Sequence, residues 1–169
     1  DGALLDVLLG SIMAELLVAD QGPRTSRISE RCDGAGGNDV CVGSPAADTC
    51  MAYIGDDFCL GNKGNDTCVS KAGNDVCYGG EGIDTFAFKS FGDVNRDVIH
   101  DFVTGVGGDI LDMRGAGFAT MTLAAFKSAY MRDSFGSVVV DFDGSGTSYE
   151  ITILNTSVAN FSSLNILLA

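Results

Sequence analysis

The chain has 169 residues, with 46 % apolar and 20 % charged, a composition that suits one folded domain and excludes a disordered chain. Asp and Glu outnumber Lys and Arg by 23 to 10, and the resulting net charge of −13 disfavours nucleic acid and anionic membrane surfaces as partners and favours cations. The 23 glycines are about twice the usual share of ~7 %, and six cysteines accompany them.

An N-terminal helix and linker are predicted for residues 1–31. Leucine and isoleucine recur at helical spacing in residues 3–18. This segment is too short, and with Asp6 and Glu15 too charged, to span a bilayer. It either caps the open end of the structure that follows or docks onto a protein partner. The docking surface would consist of Leu5, Leu8, Leu9, Ile12 and Leu16.

A nine-residue repeat follows, and it is marked most clearly by evenly spaced cysteines. These are Cys32, Cys41, Cys50, Cys59, Cys68 and Cys77. An aspartate stands two residues before each cysteine except the first, and also before Phe86: Asp39, Asp48, Asp57, Asp66, Asp75 and Asp84. Two residues before five of these aspartates stands a glycine: Gly37, Gly55, Gly64, Gly73 and Gly82.

Each repeat predicts one tight turn and one short strand. Glycine and Asn-Asp favour turns, and a triplet such as Val40-Cys41-Val42 favours a strand whose middle residue faces the core. Two repeats then make one eighteen-residue coil of a flattened right-handed solenoid, with parallel strands stacked at roughly 4.8 Å. The aspartates fall on two opposite edges, and carboxylates stacked so closely need a cation between them. Ca²⁺ prefers such oxygen ligands.

The repeats resemble the RTX (hemolysin-type calcium-binding) nonapeptide Gly-Gly-x-Gly-x-Asp-x-U-x, in which U is a large apolar residue. Residues 79–87 match this pattern completely and the other units match in part. The resemblance implies a parallel β-roll over residues 32–90 with Ca²⁺ between successive turns, held by aspartate carboxylates and glycine-turn carbonyls. The candidate sites are Asp39/Asp57, Asp57/Asp75, Asp48/Asp66 and Asp66/Asp84. Asp48 is the weakest candidate, because its turn contains Pro45 and lacks the inner glycine.

The cysteines depart from the RTX pattern, because RTX chains are usually poor in cysteine. Cys32, Cys50 and Cys68 are expected to line one sheet, and Cys41, Cys59 and Cys77 the other. Three chemistries remain open for these columns. The cysteines are inert buried thiols, disulfides across or along the thin core, or a thiolate metal site.

Residues 91–169 are predicted to form a β-rich cap that is continuous with the roll. Residues 97–112 resemble the segment that follows the repeats in RTX and serralysin C-terminal modules, which implies that Asp97 and Asp101 complete terminal calcium sites. A short helix is expected within residues 120–131. Strands at 137–142 and 149–154 are expected to form a hairpin. The ending, 158–168, resembles the final edge strand of serralysin-type modules.

The sequence offers little support for an enzyme. His100 is the single histidine, and no nucleophile elbow or phosphate-binding loop is present. Two functions remain. The first is a calcium-dependent folding module of an exported protein, located outside the cell or, alternatively, in the periplasm or an organelle lumen. The second is a structural subunit of a larger assembly, docked through residues 3–18.

Overall fold

The computed structural model describes residues 31–88, 96–146 and 149–169, together with the backbone of residues 7–9 and 16–18. Short strands dominate these ranges, and they contain one α-helix, α1 (Leu123–Tyr130), and a 3-10 turn (Val158–Asn160). The strands are β1 (Val7–Leu9), β2 (Leu16–Val18), β3 (Arg31–Asp33), β4 (Val40–Val42), β5 (Thr49–Met51), β6 (Phe58–Lys63), β7 (Thr67–Ser70), β8 (Val76–Glu81), β9 (Thr85–Phe88), β10 (Arg96–Ile99), β11 (Ile110–Asp112), β12 (Met131–Ser134), β13 (Ser137–Asp141), β14 (Glu150–Ile153) and β15 (Ile166–Leu167).

The strands of the described ranges form two sheets between which the chain alternates. One sheet has the order β1-β3-β5-β7-β9-β11-β15, and the other has the order β12-β13-β14-β10-β8-β6-β4-β2. Successive strands along the repeats therefore belong to opposite sheets, while every second strand pairs in parallel. This confirms the predicted mainly β fold with two stacked parallel sheets.

The register of the repeats is eighteen residues. Cys50 pairs with Cys68 in one sheet, and Cys59 pairs with Cys77 in the other. Each of these strands begins just after an aspartate and is only three to six residues long. In each triplet the middle residue is buried and its neighbours are half-exposed, as the alternation of side chains along a strand requires.

The prediction of an N-terminal helix is wrong for residues 7–9 and 16–18, the part of this segment that the structure describes. β1 and β2 are strands, and they pair in parallel with β3 and β4. Their central residues, Leu8 and Leu17, are nine positions apart, like the cysteines, so the leucine spacing that fits a helix also fits one more coil. The open edges of β3 and β4 offer backbone hydrogen bonds, and such non-local pairing overrides local helix propensity. Leu5 and Ile12 of the predicted docking surface lie outside the described residues.

The C-terminal region continues both sheets. β10 pairs with β8, and β11 pairs with β9, so the β-roll passes directly into it. β13 pairs antiparallel with β12 and β14, which confirms the predicted hairpin and adds the strand β12 at residues assigned in part to the helix. Thr122 caps α1, and Phe126 on that helix is fully buried. In the described part of the chain no helix is both long and apolar enough to cross a membrane.

Candidate metal centre

Aspartates line both rims of the β-roll, one rim at the start of each sheet's strands. Although ionisable, they are buried, with 1–5 % of their surface exposed. One rim carries Asp39, Asp57, Asp75 and Asp97, and the other carries Asp48, Asp66, Asp84 and Asp109. We call these two sets the first and second aspartate columns. Both run along the stacking direction of the coils.

One carboxylate oxygen ties neighbouring coils together in Asp57, Asp66, Asp75 and Asp84. The backbone N–H of Asp39 donates to Oδ1 of Asp57 at 2.8 Å. In the second column, Asp48 N–H donates to Asp66 Oδ1 at 2.7 Å, and Asp66 N–H donates to Asp84 Oδ1 at 2.8 Å. Every bond spans eighteen residues, so the side chain of one coil holds the turn of the coil before it.

The other carboxylate oxygen is buried without a hydrogen-bond donor. This holds for Oδ2 of Asp57, Asp66, Asp75 and Asp84. A buried carboxylate oxygen that lacks a partner is costly unless an ion or a proton satisfies it. Beside Gly61, Oδ2 of Asp66 and the carbonyl oxygen of Gly79 lie close together, so the donor set at this point of the rim is hard oxygen. This is the environment that Ca²⁺ prefers.

Electrostatics of the columns also favour a bound cation. Burial, together with the charge of Asp84, raises the pKa of Asp66 to about 7. Burial and the charge of Asp57 raise the pKa of Asp75 to about 7. Asp97 is affected most, since burial and then the charge of Asp75 raise its pKa to about 8. Each ionised carboxylate is destabilised by its neighbours, so a divalent ion between the coils removes a real electrostatic cost.

The turns stack so closely that only glycine fits at two repeat positions. At Gly73, φ is +130°, and a Cβ would overlap the carbonyl oxygen of Gly55 in the coil before. At Gly79, a Cβ would overlap Oδ2 of Asp84. The first position brings a backbone carbonyl close to the next turn, and the second leaves room for the carboxylate. Glycine at these positions therefore shapes a rim rich in oxygen atoms.

The turn before Asp48 differs from the others. Oδ2 of Asp48 accepts hydrogen bonds from the backbone N–H of Ser44 at 2.6 Å and from its hydroxyl at 3.0 Å. Ala46 takes the place of the inner glycine in this turn, and Pro45 precedes it. The carboxylate that the sequence ranks weakest is thus satisfied within its own turn.

The columns extend beyond the nonapeptides. Asp75 N–H donates to Oδ1 of Asp97 at 2.8 Å, so Asp97 adds a rung to the first column. Asp84 N–H donates to Oδ1 of Asp109 at 2.9 Å, so Asp109 adds a rung to the second. Sequence reasoning missed Asp109, because it lies 25 residues after Asp84 instead of eighteen. The available signal was an aspartate two residues before the buried Leu111.

Two further residues close the end of the second column. Both carboxylate oxygens of Asp101 accept backbone hydrogen bonds, from Gly79 and Gly80, at 2.9 Å each. Asp101 therefore caps the last glycine turn and is not a rung of either column. Asn165 is fully buried, and its amide donates to the carbonyl oxygen of Asp109 at 3.0 Å. A neutral amide thus ends the series of carboxylates.

Comparison with known families identifies the repeats. The family described as the RTX calcium-binding nonapeptide repeat matches residues 33–68 and 72–86, in four copies. This chain carries RTX repeats. The match contains all six repeat aspartates, from Asp39 to Asp84. No curated protein matches the chain.

Two solved structures align with the whole chain. The AlgE6R3 subunit of the mannuronan C5-epimerase from Azotobacter vinelandii is 26 % identical, with a TM-score of 0.55, and the alignment covers 100 % of this chain and 86 % of that one. The extracellular lipase LipA from Serratia marcescens is 15 % identical, with a TM-score of 0.45 over 100 % of this chain and 40 % of the lipase. The resemblance of residues 97–112 and 158–168 to serralysin-type modules stays a prediction.

Inside the RTX roll, the cysteines occupy the buried position of each strand. Cys68 and Cys77 form a disulfide across the core. Cys32, Cys41, Cys50 and Cys59 are buried free thiols. The sulfur atoms of Cys59, Cys68 and Cys77 lie within 4.8 Å of one another, but the disulfide uses two of them. This group therefore offers one thiol and not the three or four ligands that a thiolate metal site needs.

Proposed function

We propose that this chain is a non-catalytic calcium-binding module of an exported protein, in which Ca²⁺ bound along both rims stabilises the β-roll. One observation carries the proposal. The Oδ2 atoms of Asp57, Asp66, Asp75 and Asp84 are buried without a hydrogen-bond donor, while their Oδ1 atoms hold the neighbouring coil. The RTX repeats supply the chemical identity of the cation.

The proposed ligands come from adjacent coils. We assign the sites to Asp57 with Asp75 in the first column and to Asp66 with Asp84 in the second. Carbonyl oxygens of the glycine turns complete the coordination. Asp39 extends the first column at one end and Asp97 at the other, and Asp109 extends the second. Asp48 contributes least, because Ser44 already satisfies its Oδ2.

Calcium binding would make folding of the module depend on the calcium concentration of the compartment. Without the ion, buried like charges along each rim oppose stacking of the coils, so the metal-binding free energy contributes directly to folding. Extracellular calcium modules bind with dissociation constants of about 10⁻⁴–10⁻³ M, and such a module folds only where calcium is abundant. The disulfide between Cys68 and Cys77 supports an oxidising compartment.

A non-catalytic role is supported by the environment of the single histidine. His100 stacks on Tyr78 with ring centroids 4.3 Å apart, as a packed side chain does. The similar AlgE6R3 chain is described as a subunit of an epimerase. We propose that this chain likewise serves as an accessory module beside the working part of a larger protein. The alternative of docking through an N-terminal helix has no support where the structure describes that segment.

A calcium titration of the full chain tests the proposal. After dialysis against EDTA, we expect a lower melting temperature and a weaker β-sheet circular dichroism signal. Added Ca²⁺ should restore both, with a midpoint of about 0.1–1 mM. Mg²⁺ at the same concentration should restore much less, since it demands a tighter octahedral shell. Identical melting in EDTA and in calcium, with no heat of binding by calorimetry, would contradict the calcium role.

A further inference from the structure

The core of the β-roll contains a ladder of six sulfur atoms. Within one sheet, Cys32 pairs with Cys50 and Cys50 pairs with Cys68. In the other sheet, Cys41, Cys59 and Cys77 follow the same register. All six residues have 8 % or less of their surface exposed. The ladder thus has one cysteine from each sheet in each of three successive coils.

The last coil shows that the two columns are close enough to bond. Cys68 and Cys77 are joined by a disulfide, with their Cα atoms 6.6 Å apart. This separation lies within the range of about 4.4–6.8 Å that disulfides require. Packed sheets are ordinarily about 10 Å apart, so the cysteines occupy an unusually thin core. Because the coils repeat in register, Cys50 and Cys59 face each other as Cys68 and Cys77 do.

The sulfur atoms of the first two coils have neighbours in both directions. Cys32 pairs along its sheet with Cys50, and by the repeat register it faces Cys41 across the core. Cys59 pairs along its sheet with Cys41, and by the same register it faces Cys50. The sulfur of Cys59 also lies within 4.8 Å of Cys68, but Cys68 is already bonded to Cys77, so the remaining partners lie along the sheet or directly across the core. The choice between them depends on the direction of the side chains.

Side-chain direction favours bonds across the core. Paired residues of parallel strands project their Cβ atoms in the same direction, so these atoms stay about 4.8 Å apart, as the strands do. A disulfide needs Cβ atoms about 3.5–4.5 Å apart. Across the core the two side chains point toward each other, and the bonded pair Cys68–Cys77 uses this arrangement.

We propose that Cys32–Cys41 and Cys50–Cys59 form disulfides equivalent to Cys68–Cys77, so that each of three successive coils carries one bridge across the core. The bridges would join the two rims that hold the aspartate columns. They would also restrict the unfolded chain, which is the usual way in which a disulfide stabilises a fold. This inference does not depend on calcium binding.

The bridges form by thiol–disulfide exchange with a disulfide oxidant, for which oxidised glutathione serves in the experiment. The thiolate of one cysteine attacks the oxidant, forms a mixed disulfide and releases one glutathione thiol. The second cysteine then attacks the mixed disulfide and releases the second thiol. Two electrons and two protons leave the protein for each bridge, and the oxidant is reduced to two thiols. Since the folded core buries the sulfur atoms, exchange takes place before the coils close.

The test is a disulfide map of the full chain refolded in a glutathione redox buffer. Free thiols are blocked at acidic pH, and the protein is cut with a protease that cleaves before aspartate. An aspartate stands between every two neighbouring cysteines, so each cysteine lies in its own peptide. We expect peptides 20–32 with 39–47, 48–55 with 57–65, and 66–74 with 75–83. Linkage of Cys32 to Cys50, or blocked thiols in the first four peptides, would overturn the proposal.

A single substitution identifies the partner independently. In Cys50→Ser, bonds across the core leave Cys59 as the one thiol that a maleimide labels after denaturation. Bonds along the sheets would instead leave Cys32 labelled, which would contradict the proposal. The double variant Cys50→Ser/Cys59→Ser is the matched control and should leave no thiol to label. The map of the unsubstituted chain decides the question even where a variant folds poorly.

Discussion

The backbone N–H of Asp57 donates a hydrogen bond to Oδ1 of Asp75 at 3.0 Å, although the two residues are eighteen positions apart. Oδ2 of each of these side chains is buried without a donor. One carboxylate therefore has two separate roles: Oδ1 fixes the spacing of the coils, and Oδ2 is left for a cation. Substitution of the aspartate by asparagine separates these two roles. The asparagine carbonyl still accepts the backbone hydrogen bond, while its NH₂ group cannot ligate a metal ion.

Asp57→Asn is expected to weaken calcium binding by at least about tenfold, because calcium affinity follows the number of charged ligands. The fold itself should persist at saturating calcium, since Oδ1 can still accept from Asp39. The measurement is a calcium titration followed by calorimetry and circular dichroism.

The neighbouring variant Asp56→Asn is the matched control for this substitution. Asp56 is exposed, and its Oδ1 accepts hydrogen bonds from the backbone and side chain of Asn74. The control removes the same charge one residue away and should shift the calcium midpoint by less than about twofold, as expected for an exposed charge in salt. Equal shifts in the two variants would show that net charge, and not ligation by Asp57, governs the response.

Sequence reasoning predicted the repeat region because its signal is local and periodic. Asp39 and Cys41 already define one turn and one strand. Because this unit repeats every nine residues and two units make one coil, strands eighteen residues apart are expected to pair. The N-terminal strands were missed for the opposite reason. Leu8 and Leu17 fit both a helix and a coil, and only pairing with strands 24 residues later decides between them.

The ends of the aspartate columns show a second limit. Asp97 could be recognised by its resemblance to RTX modules, but Asp109 follows a long loop that breaks the spacing. A fixed period cannot follow an insertion, whereas hydrogen bonding can, and Asp84 N–H identifies Asp109 as the next rung. The contact between Cys68 and Cys77 could not be predicted from the sequence either, because pairing across or along the core depends on the direction of the side chains in three dimensions.

The metal-free protein should become less stable as the pH rises from 5 to about 8.5. In the folded state the pKa is about 6 for Asp84, about 7 for Asp66 and Asp75, and about 8 for Asp97, mainly because of burial. In the unfolded chain an aspartate titrates near ~3.9. The folded state therefore binds protons more tightly than the unfolded chain. The stabilisation from these protons is complete below about pH 4. It is lost as the pH rises through the raised pKa values of the folded state.

Thermal melting in EDTA across this pH range checks the sign. Calorimetry on the folded protein should show calcium binding that becomes tighter as the pH rises, because protons and Ca²⁺ compete for the same oxygens. A melting temperature in EDTA that increases between pH 5 and 8.5 would be incompatible with buried, mutually repelling columns.

Gly73→Ala is expected to reduce the free energy of unfolding by about 3 kcal/mol or more, in the range of severe backbone conflicts. The new Cβ would meet the Gly55 carbonyl, and φ at this position is +130°. Gly115→Ala is the control, because Gly115 has a φ of +90° but no atom within 4 Å of the added Cβ. This control variant should reduce the free energy of unfolding by only about 1–2 kcal/mol, which is the cost of a left-handed backbone conformation at alanine. Chemical denaturation in calcium measures both variants, and a cost at Gly73 no larger than that at Gly115 would argue against tight stacking of the turns.

Asn165→Ala should destabilise the protein by about 2–4 kcal/mol, because it leaves buried groups without partners at about 1–3 kcal/mol each. The Asn165 side chain is fully buried; its Oδ1 accepts from Gly105 N–H at 3.0 Å, and its amide donates to the carbonyl oxygen of Asp109 at 3.0 Å. The exposed Asn160 provides a matched control, and its alanine variant should stay within about 0.5 kcal/mol of the parent protein. Urea denaturation of the two variants in calcium measures the difference. If both alanine variants unfold at the same urea concentration, Asn165 does not close the column, and the stability of that end must come from the packing of β11 against β15.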